Sequence, residues 1–383
     1  MIGKIIIPIL LGVLFTTLYF HLVHLRRRHW SKRILLWLAA FAIMAFSVQQ
    51  ARQPHYFPID IQSLFCYIDL LALIVTPAFI VAIGGLIGRC FGKRLRGELI
   101  GCALALCSMA AYLYGNYVGP TKIEVRHIDY YSNDLPDAFD GYRILHFGDL
   151  HTGSFVGWRR DVLQRAVDSI MAQKADIAVF TGDIQNMMPS EIEAHRSLLD
   201  TISAPDGVFA VLGNHDYPKY IHTIGMQEDD SLDKTCLIEQ EMGWTLLRNE
   251  NRCIRRGTDS IYIAGMENDG EGRFPAYGNV QQALWRVSTY DFVVLLEHDP
   301  TSWRRKILRE CHAQLTLSGH THGGQISLFG LSPARLFYRE LEGLHELSGR
   351  SLFVTRGIGG AVPFRLGVSP EIAVITLRKK PTI

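Results

Sequence analysis

Four apolar stretches before residue 120 constrain this chain more than any other feature of the sequence. They cover roughly residues 5–23, 34–48, 65–87 and 99–118. A membrane-spanning helix needs about 20 mostly apolar residues, and the first, third and fourth stretches meet that requirement. The second is short unless it takes in Gln49 and Gln50. We therefore predict four transmembrane helices. A cleavable signal peptide is the alternative for the first stretch, but its apolar core is too long and no A-x-A site follows.

The net charge of the chain is divided unevenly. Residues 1–120 contain eleven Lys and Arg against three Asp and Glu, a net of +8, so the remainder carries −6 because the whole chain carries +2. With 383 residues the chain is also too long for one ordinary domain. We predict a transmembrane anchor over residues 1–120 and a soluble domain over 121–383. The acidic remainder argues against a long nucleic acid as partner.

Basic residues mark two of the three loops between the predicted helices. The second loop contains only Arg52. The first loop contains Arg26, Arg27, Arg28, Lys32 and Arg33. The third contains Arg89, Lys93, Arg94 and Arg96. Lys and Arg are retained on the cytoplasmic side, so these two loops should face the cytoplasm. We therefore predict a multi-pass inner-membrane protein with an extracytoplasmic C-terminal domain.

From Tyr142 onward, apolar strands alternate with helices. Strands are predicted at 142–147, 175–180, 207–213, 291–296 and 313–318, helices at about 159–172 and 190–203, and further β-rich runs near 260–264, 351–355 and 372–378. Residues 119–141 are expected to form the connector and the first strand. This alternation is typical of an α/β domain with buried sheets.

Five short motifs follow five of the predicted strands: GDLH at 148–151, TGD at 181–183, GNHD at 213–216, EH at 297–298 and GHTH at 319–322. They contain Asp149, His151, Asp183, Asn214, His298, His320 and His322. Each motif alone could be an ordinary turn. Five strand-end loops that all offer oxygen or imidazole donors instead indicate a site for two adjacent divalent metal ions, and hence a hydrolase. Such donors suit Mn²⁺, Fe or Zn²⁺.

The surrounding sequence resembles the calcineurin-like metallophosphoesterase superfamily, and most closely its bacterial membrane-attached branch. The resemblance covers roughly residues 143–378 and is carried by LHFGDLHTG (145–153), AVFTGDIQN (178–186), FAVLGNHDY (209–217), LEHDP (296–300) and LTLSGHTHGGQI (315–326), with a further match at 354–377. It implies an α/β fold arranged as a four-layer αββα sandwich.

The resemblance also assigns roles to the metal-site residues. One ion would be held by Asp149, His151, Asp183 and His322, and the second by Asp183, Asn214, His298 and His320, with Asp183 as the bridge. A hydroxide shared by the two ions would attack phosphorus in a phosphoester or pyrophosphate bond.

His215 lies outside the metal set, and the resemblance makes it the leaving-group acid or an oxyanion stabiliser. A turn or supporting residue is the alternative, and that is also the expected role of Asp216. One position departs from the family pattern. Many relatives carry an acidic residue three positions after the bridging aspartate, where it orients the histidine, and this chain has Asn186 there. An amide accepts a hydrogen bond but stabilises an imidazolium less than a carboxylate does, so Asn186 leaves the acid role of His215 open.

Three further residues are open between a functional and a structural role. Arg356 and Arg365 flank the glycine-rich GIGG at 357–360, and arginine suits phosphate oxygens. Either could equally be a surface or sheet-edge residue. Gln325 follows the GHTHGG loop and would contact substrate or cap a strand.

The leading functional hypothesis is a membrane-anchored phosphohydrolase with two divalent metal ions. Anchoring places a lipid-linked substrate among the candidates, such as a lipid headgroup, a lipid-linked sugar or an isoprenoid pyrophosphate. Two alternatives stay open. One is a UDP-diacylglucosamine pyrophosphate hydrolase, which needs a cytoplasmic site. The other is a non-catalytic membrane scaffold with a structural metal site, for which Asn186 is the best support. Physiological substrate, metal identity and oligomeric state stay open.

A topology reporter fused after Val118 tests the predicted orientation. Alkaline phosphatase at this point should be active, because it matures only outside the cytoplasm, and green fluorescent protein at the same point should be dark. A fusion after Arg33, in the first basic loop, is the matched control and should behave in the opposite way. A bright fluorescent fusion after Val118 would place the soluble domain in the cytoplasm and contradict the prediction.

Overall fold

The computed structural model describes residues 2–25, 29–52, 61–218 and 228–380. The chain forms two compact units, Met1–Tyr114 and Gly115–Ile383. The second unit thus begins a few residues before the boundary predicted at residue 120, because the residues after Tyr114 contact the later part of the chain. Arg26, Arg27 and Arg28, on which part of the predicted topology depends, lie outside the described residues.

The first unit is helical. Its helices are α1 (Ile2–Val23), α2 (Trp30–Arg52), α3 (Ile61–Leu70), a π-helical turn (Leu71–Val75), α4 (Thr76–Cys90) and α5 (Arg94–Leu113). Four helical segments of the described chain are long and apolar enough to cross a membrane: Ile6–Val23, Trp30–Arg52, Ile61–Cys90 and Arg94–Thr121. The second span extends at both ends beyond the apolar stretch and includes Gln49 and Gln50, which supplies the length that the apolar residues alone lack.

Glycines set the packing between α4 and α5. A Cβ atom at Gly84 would overlap the carbonyl oxygen of Gly97, and a Cβ at Gly97 would overlap that of Gly84. Small residues allow such close approach of helix backbones in membranes. Asp69 accepts a hydrogen bond of 2.6 Å from the Tyr112 hydroxyl. The first unit is therefore a packed helical assembly.

The second unit contains twelve strands and six short to medium helices among its described residues. In chain order the strands are β1 (Glu124–Ser132), β2 (Arg143–Phe147), β3 (Ile177–Phe180), β4 (Val208–Ala210), β5 (Trp244–Leu246), β6 (Glu250–Arg256), β7 (Asp259–Gly265), β8 (Phe292–Leu296), β9 (Leu315–Ser318), β10 (Gly343–Leu347), β11 (Arg350–Val354) and β12 (Glu371–Lys379). The helices are α6 (Arg160–Ala172), α7 (Pro189–Glu193), α8 (Arg196–Leu199), α9 (Glu228–Glu241), α10 (Val280–Ala283) and α11 (Leu308–Glu310).

These strands form two six-stranded sheets with orders β1-β12-β2-β3-β4-β5 and β10-β11-β9-β8-β7-β6. Within the first sheet β2, β3, β4 and β5 run parallel, and β12 pairs antiparallel with β2. Within the second sheet β7, β8, β9 and β11 run parallel, flanked by antiparallel β6 and β10. Parallel strands end at one edge of their sheet, so loops after β2, β3 and β4 lie side by side, as do those after β8 and β9.

Side chains alternate between two faces along each strand, and this places the core in three layers. In β8, Phe292, Val294 and Leu296 belong to the cluster shared by the two sheets, whereas Val293 and Leu295 belong to the cluster that contains Trp303. On the other side, Leu145 and Phe147 of β2 pack with apolar residues of α6. Two sheets packed face to face, each covered by helices on its outer side, confirm the predicted four-layer αββα sandwich.

Three strands were absent from the sequence prediction: β5, β6 and β10. All three are edge strands of their sheets. β5 has only three residues, and β6 reads ENRCIRR with most side chains exposed. Edge strands are kept short or charged in natural proteins, which removes the apolar pattern that identifies a strand. The helix predicted near 190–203 is two short helices, α7 and α8.

Candidate metal centre

Four motifs begin directly after the carboxyl ends of β2, β3, β8 and β9, and GNHD follows the end of β4 after two further residues. Three of these strands belong to the first sheet and two to the second. The predicted donors therefore come from both sheets, and their distances show that the two sets of loops meet.

Two groups of predicted ligands are assembled. The ligand atoms of Asp149, His151 and His322 lie within 4.8 Å of one another, as do those of Asp183, His298 and His320. A third group that meets the same distance, His151, Asp183 and His215, shares one residue with each of them. Asp183 lies between the groups, because its Oδ2 is 3.3 Å from His298 Nε2 and 3.5 Å from His151 Nε2. This is the position that a bridging carboxylate would occupy.

Asn214 completes the second group. Its Oδ1 is 2.7 Å from His320 Nδ1 and 3.2 Å from His298 Nε2. The Nδ1–H of His298 donates to the Thr181 carbonyl at 2.7 Å, which directs Nε2 toward Asp183 and Asn214. The structure thus brings together all seven residues predicted as metal ligands. Their division between two ions stays a prediction.

Burial and mutual charge set the protonation of these groups. Burial raises the pKa of Asp149 to about 7. Burial also acts on Asp183, but the imidazoles of His298 and His215 more than offset it and hold the pKa of Asp183 well below its usual range. Burial lowers the pKa of His151 to about 3, so its imidazole is neutral and can offer a lone pair to a cation.

Three donor atoms at the centre are buried and have no hydrogen-bond partner in the described part of the chain: Asp149 Oδ2, His151 Nε2 and His322 Nδ1. Buried polar atoms are nearly always paired, and unpaired ones that converge with carboxylates are suited to an ion. Carboxylate, amide and imidazole donors without thiolate match Mn²⁺, Fe or Zn²⁺. The residues present therefore fit a divalent metal centre.

The backbone at the centre is held in an uncommon conformation. Positive φ angles occur at five of the seven predicted ligands: Asp149 (51°), His151 (49°), Asp183 (59°), His320 (72°) and His322 (51°). Non-glycine residues rarely adopt this region, and such positions persist only where the surrounding structure imposes them. The glycines beside them are required as well, since a Cβ at Gly213 would overlap Asp183 and a Cβ at Gly319 would crowd Asp149.

Asp216 holds two of the motif loops together. Its Oδ2 accepts from the backbone N–H groups of Asp183 and Gly213, each at 2.8 Å, and its Oδ1 accepts from Ile184 at 2.9 Å. The side chain is fully buried. Asp216 therefore orients the TGD loop against the GNHD loop, which is the supporting role expected for it.

Asn186 has two partners that the sequence could not identify. Its side-chain Oδ1 is 3.0 Å from His151 Nδ1, and its backbone carbonyl accepts from His215 Nδ1 at 2.7 Å. A backbone carbonyl is available whatever side chain stands at this position. The ring of His215 is therefore oriented without an acidic side chain, and the Asn186 side chain positions a predicted metal ligand instead.

The two arginines near GIGG are structural in this geometry. Arg365 is fully buried, and its guanidinium donates to the carbonyl oxygens of His322, Arg356, Gly357 and Gly359. Arg356 pairs with Glu342 at 2.6 Å and with Glu124 at 2.9 Å. Gln325 donates to the Val362 carbonyl at 3.0 Å, so its amide joins two loops, and neither of its two expected roles is decided by this contact.

Two residues that flank His320 lie outside the sequence motifs. The hydroxyl of Tyr338 is 3.2 Å from His320 Nε2, and the ring of Phe274 lies edge-on to the imidazole with centroids 5.1 Å apart. Phe274 precedes His320 by more than forty residues and belongs to no motif. Only the folded chain identifies both as walls of the site.

Comparison with known proteins points to one family. Residues 142–324 match the family model described as calcineurin-like phosphoesterase. The metallophosphoesterase YkuE of Bacillus subtilis is 31% identical over 300 residues, which cover 76% of this chain and 97% of the relative. Residues 142–324 contain all five motifs.

Two more relatives extend the comparison. A transmembrane protein with metallophosphoesterase domain from Danio rerio is 28% identical over 374 residues, covering 92% of this chain and 81% of its own length. The phosphodiesterase YaeI of Escherichia coli is 26% identical over 280 residues, covering 72% of this chain and 96% of its own length. The similarity to the Danio rerio protein includes most of the helical unit, which supports membrane association of this chain.

The Asp216 carboxylate should be essential for metal binding although it is not a predicted ligand. In Asp216→Asn the amide nitrogen must face one of the backbone N–H donors, so we expect metal affinity to fall about 10–100-fold. Elemental analysis after dialysis against graded metal concentrations measures this. Asp168→Asn, at an exposed carboxylate that accepts a hydrogen bond of 2.9 Å from Gln164 on the same helix, is the control. Unchanged metal content in Asp216→Asn would contradict the role.

Proposed function

The chain belongs to the calcineurin-like phosphoesterase family, whose members are metal-dependent phosphoester hydrolases, and on that premise we propose a membrane-anchored hydrolase with two metal ions. Its substrate carries a phosphoester or pyrophosphate bond. The observation that carries the proposal is the convergence of six Asp and His side chains with Asn214, and three buried atoms of this set have no hydrogen-bond partner among the described residues.

We assign one ion to Asp149, His151, Asp183 and His322, and the other to Asp183, Asn214, His298 and His320. When bound, two such ions supply a hydroxide nucleophile near neutral pH and neutralise charge on the phosphoryl oxygens. The chain's own contribution is to hold the donors at fixed positions. Two imidazoles are held by hydrogen bonds that they donate, His151 Nδ1–H to the Asn186 side-chain oxygen and His298 Nδ1–H to the Thr181 carbonyl.

His215 is the proposed leaving-group acid. Its Nδ1 donates to the Asn186 carbonyl, so Nε2 is the nitrogen that exchanges a proton with substrate. The backbone N–H of His215 donates to Asp183 Oδ1 at 2.8 Å, and its ring lies 4.8 Å from that of His151. The residue is therefore anchored at the centre by two contacts, which is what a proton donor in an in-line displacement needs.

Membrane helices in the same chain support a lipid-linked substrate. A site tethered to a bilayer meets molecules of that bilayer far more often than dilute solutes. The distribution of Lys and Arg between the loops supports an extracytoplasmic site in the inner membrane. The net charge of −6 on residues 121–383 disfavours a long nucleic acid as substrate, because both would be negatively charged.

The two alternatives differ in what supports them. A UDP-diacylglucosamine pyrophosphate hydrolase needs the opposite topology, so the reporter fusion after Val118 decides between the two orientations. The scaffold hypothesis depended on Asn186. Because the backbone carbonyl of Asn186 orients His215, and its side chain contacts His151, that residue no longer favours a scaffold.

Metal-dependent hydrolysis of bis(p-nitrophenyl) phosphate tests the proposed chemistry. Purified full-length protein loaded with Mn²⁺ should hydrolyse this diester, and Asp183→Asn should lower kcat/KM more than about a hundredfold because the bridging charge is lost. Chelation should abolish turnover, and added metal should restore it. Asp168→Asn is the matched control. A fully metal-loaded protein inactive on diesters, monoesters and pyrophosphates would favour the scaffold.

Replacing His215 should affect substrates according to their leaving groups. For a diester that releases an alkyl alcohol, we expect His215→Ala to lower kcat about 10²–10⁴-fold, because an alkoxide must be protonated as it departs. For p-nitrophenolate, which leaves as an anion, the loss should be much smaller. His127→Ala, at an exposed strand residue, is the control. Equal losses on both substrates, with metal content unchanged, would rule out the acid role.

A further inference from the structure

One exposed apolar segment follows the GHTHGGQ motif directly. We name residues 326–338 the 326–338 hairpin. Phe329 is fully exposed, and Leu331, Leu336 and Phe337 have 73%, 84% and 82% of their surface exposed. Large apolar side chains concentrated in one surface segment mark a contact with a membrane or another protein.

The hairpin holds these side chains outward by regular hydrogen bonds. Leu328 and Leu331 exchange backbone hydrogen bonds of 2.9 and 3.0 Å, and Phe329 and Gly330 between them both have positive φ. This is the pattern of a type I′ turn, which is a defined conformation. Ser332 then caps the following 3₁₀ turn, Pro333–Leu336, through its side chain. The fold therefore presents Phe329 to the surroundings in a fixed geometry.

Backbone contacts tie the base of the hairpin to the end of the last candidate span. Ser327 N–H donates to the Leu366 carbonyl at 2.8 Å, and the neighbouring Arg365 N–H donates to the Gly115 carbonyl at 2.8 Å. Gly115 lies within the candidate span Arg94–Thr121. Close to it, the rings of Tyr117 and Trp158 stack with centroids 5.7 Å apart, and both are partly exposed. Aromatic side chains are enriched at membrane interfaces.

Charge around the hairpin fits a lipid headgroup layer. Arg335 and Arg339 have exposed side chains within or next to the hairpin. Arg335 forms a long ion pair of 3.9 Å with Glu342, and Arg339 forms one of the same length with Glu340. Apolar and aromatic residues beside arginines are the composition of segments that lie in the interface of an anionic bilayer.

The other end of the hairpin reaches the metal centre. Tyr338, its last residue, contacts His320 through its hydroxyl at 3.2 Å. One short segment thus connects a predicted metal ligand with the apolar tip. A lipid whose chains remain in the bilayer could present its phosphate to the site along this segment.

We propose that the 326–338 hairpin lies in the interfacial layer of the bilayer that holds the four helices, and that the substrate is a membrane lipid carrying its scissile phosphate in the headgroup. The inference rests on the proposed function, which it makes specific. Two observations favour lipid over a second copy of the chain as the partner of the hairpin. The hairpin is joined by backbone contacts to the end of the candidate span, and exposed arginines flank its apolar side chains.

Fluorescence quenching by brominated lipids tests the location of the hairpin. Full-length Phe329→Trp is reconstituted in phosphatidylcholine–phosphatidylglycerol vesicles, with or without bromine near the glycerol end of the acyl chains. The wild-type signal is subtracted. We expect the added tryptophan to be quenched about twofold by the brominated lipid, because interfacial segments reach that depth. Tyr290→Trp is the matched control: Tyr290 is almost fully exposed and precedes the amino end of β8, and it should show no lipid quenching.

Two outcomes would overturn the proposal. If acrylamide quenches Phe329→Trp as freely as Tyr290→Trp and bromine does not, the hairpin lies in water. If neither reagent quenches it, a protein covers the hairpin, and a second copy becomes the occupant to test.

A pair of substrates separates this inference from the proposed function. Bis(p-nitrophenyl) phosphate in solution and the p-nitrophenyl ester of phosphatidic acid in vesicles release the same leaving group. Phe329→Asp should keep turnover of the soluble diester and lose about tenfold in kcat/KM on the lipid ester, because the tip leaves the interface. Tyr290→Asp should change neither. If Phe329→Asp and Tyr290→Asp hydrolyse the lipid ester equally well, the inference about the hairpin is wrong and the proposed function is unaffected. If the wild-type protein shows no metal-dependent turnover of either substrate, the proposed function itself is wrong.

Discussion

Two carboxylates, Asp149 and Asp183, are buried together where the loops of the two sheets meet, and the site depends on how their charge is balanced. Burying a charge costs far more than burying a neutral group unless an opposite charge lies close by. Among the protein's own groups, the protonated imidazole of His298 supplies that charge. Burial lowers the pKa of His298, but the neighbouring carboxylates of Asp183 and Asp149 outweigh burial and raise it to about 10. A metal ligand must be a neutral imidazole, so cation binding and protonation of His298 compete for one site.

The same constraint explains why the motif loops hold each other. Asp216 accepts N–H groups from two loops, Asp149 accepts from the N–H of His320 at 2.9 Å, and Asp183 accepts from that of His215. Backbone N–H donors favour the ionised form of a carboxylate and hold it in one orientation, although burial still raises the pKa of Asp149 and of Asp216 to about 7. These contacts also maintain the left-handed backbone at the predicted ligands, since no single loop would adopt it alone.

Arg365 shows how the metal loops are joined to the rest of the second unit. Its guanidinium binds four carbonyl oxygens, one of them that of His322, and its backbone N–H donates to Gly115. A Cβ at Gly119 would overlap the Arg365 carbonyl, so glycine is required for this approach. The sequence left Arg365 open between phosphate binding and a structural role. Burial shows instead that its charge serves backbone carbonyls. Arg365 thereby links Gly115 and Gly119, at the end of the last candidate span, to the loop that contains His322.

By itself the sequence determined the division into a helical and an α/β part, most central strands, and the set of donor residues, because each leaves a local pattern of apolar runs, alternation or short motifs. Only the tertiary structure decided that Asp183 lies between the two donor groups, that Asn186 orients His215 through its carbonyl, that Arg365 is structural, and that Tyr338 and Phe274 flank His320. It also decided the edge strands β5, β6 and β10. The physical reason is common to all of them: they depend on contacts between residues distant in the chain or on a partner strand, and such contacts impose no periodicity on the sequence around them.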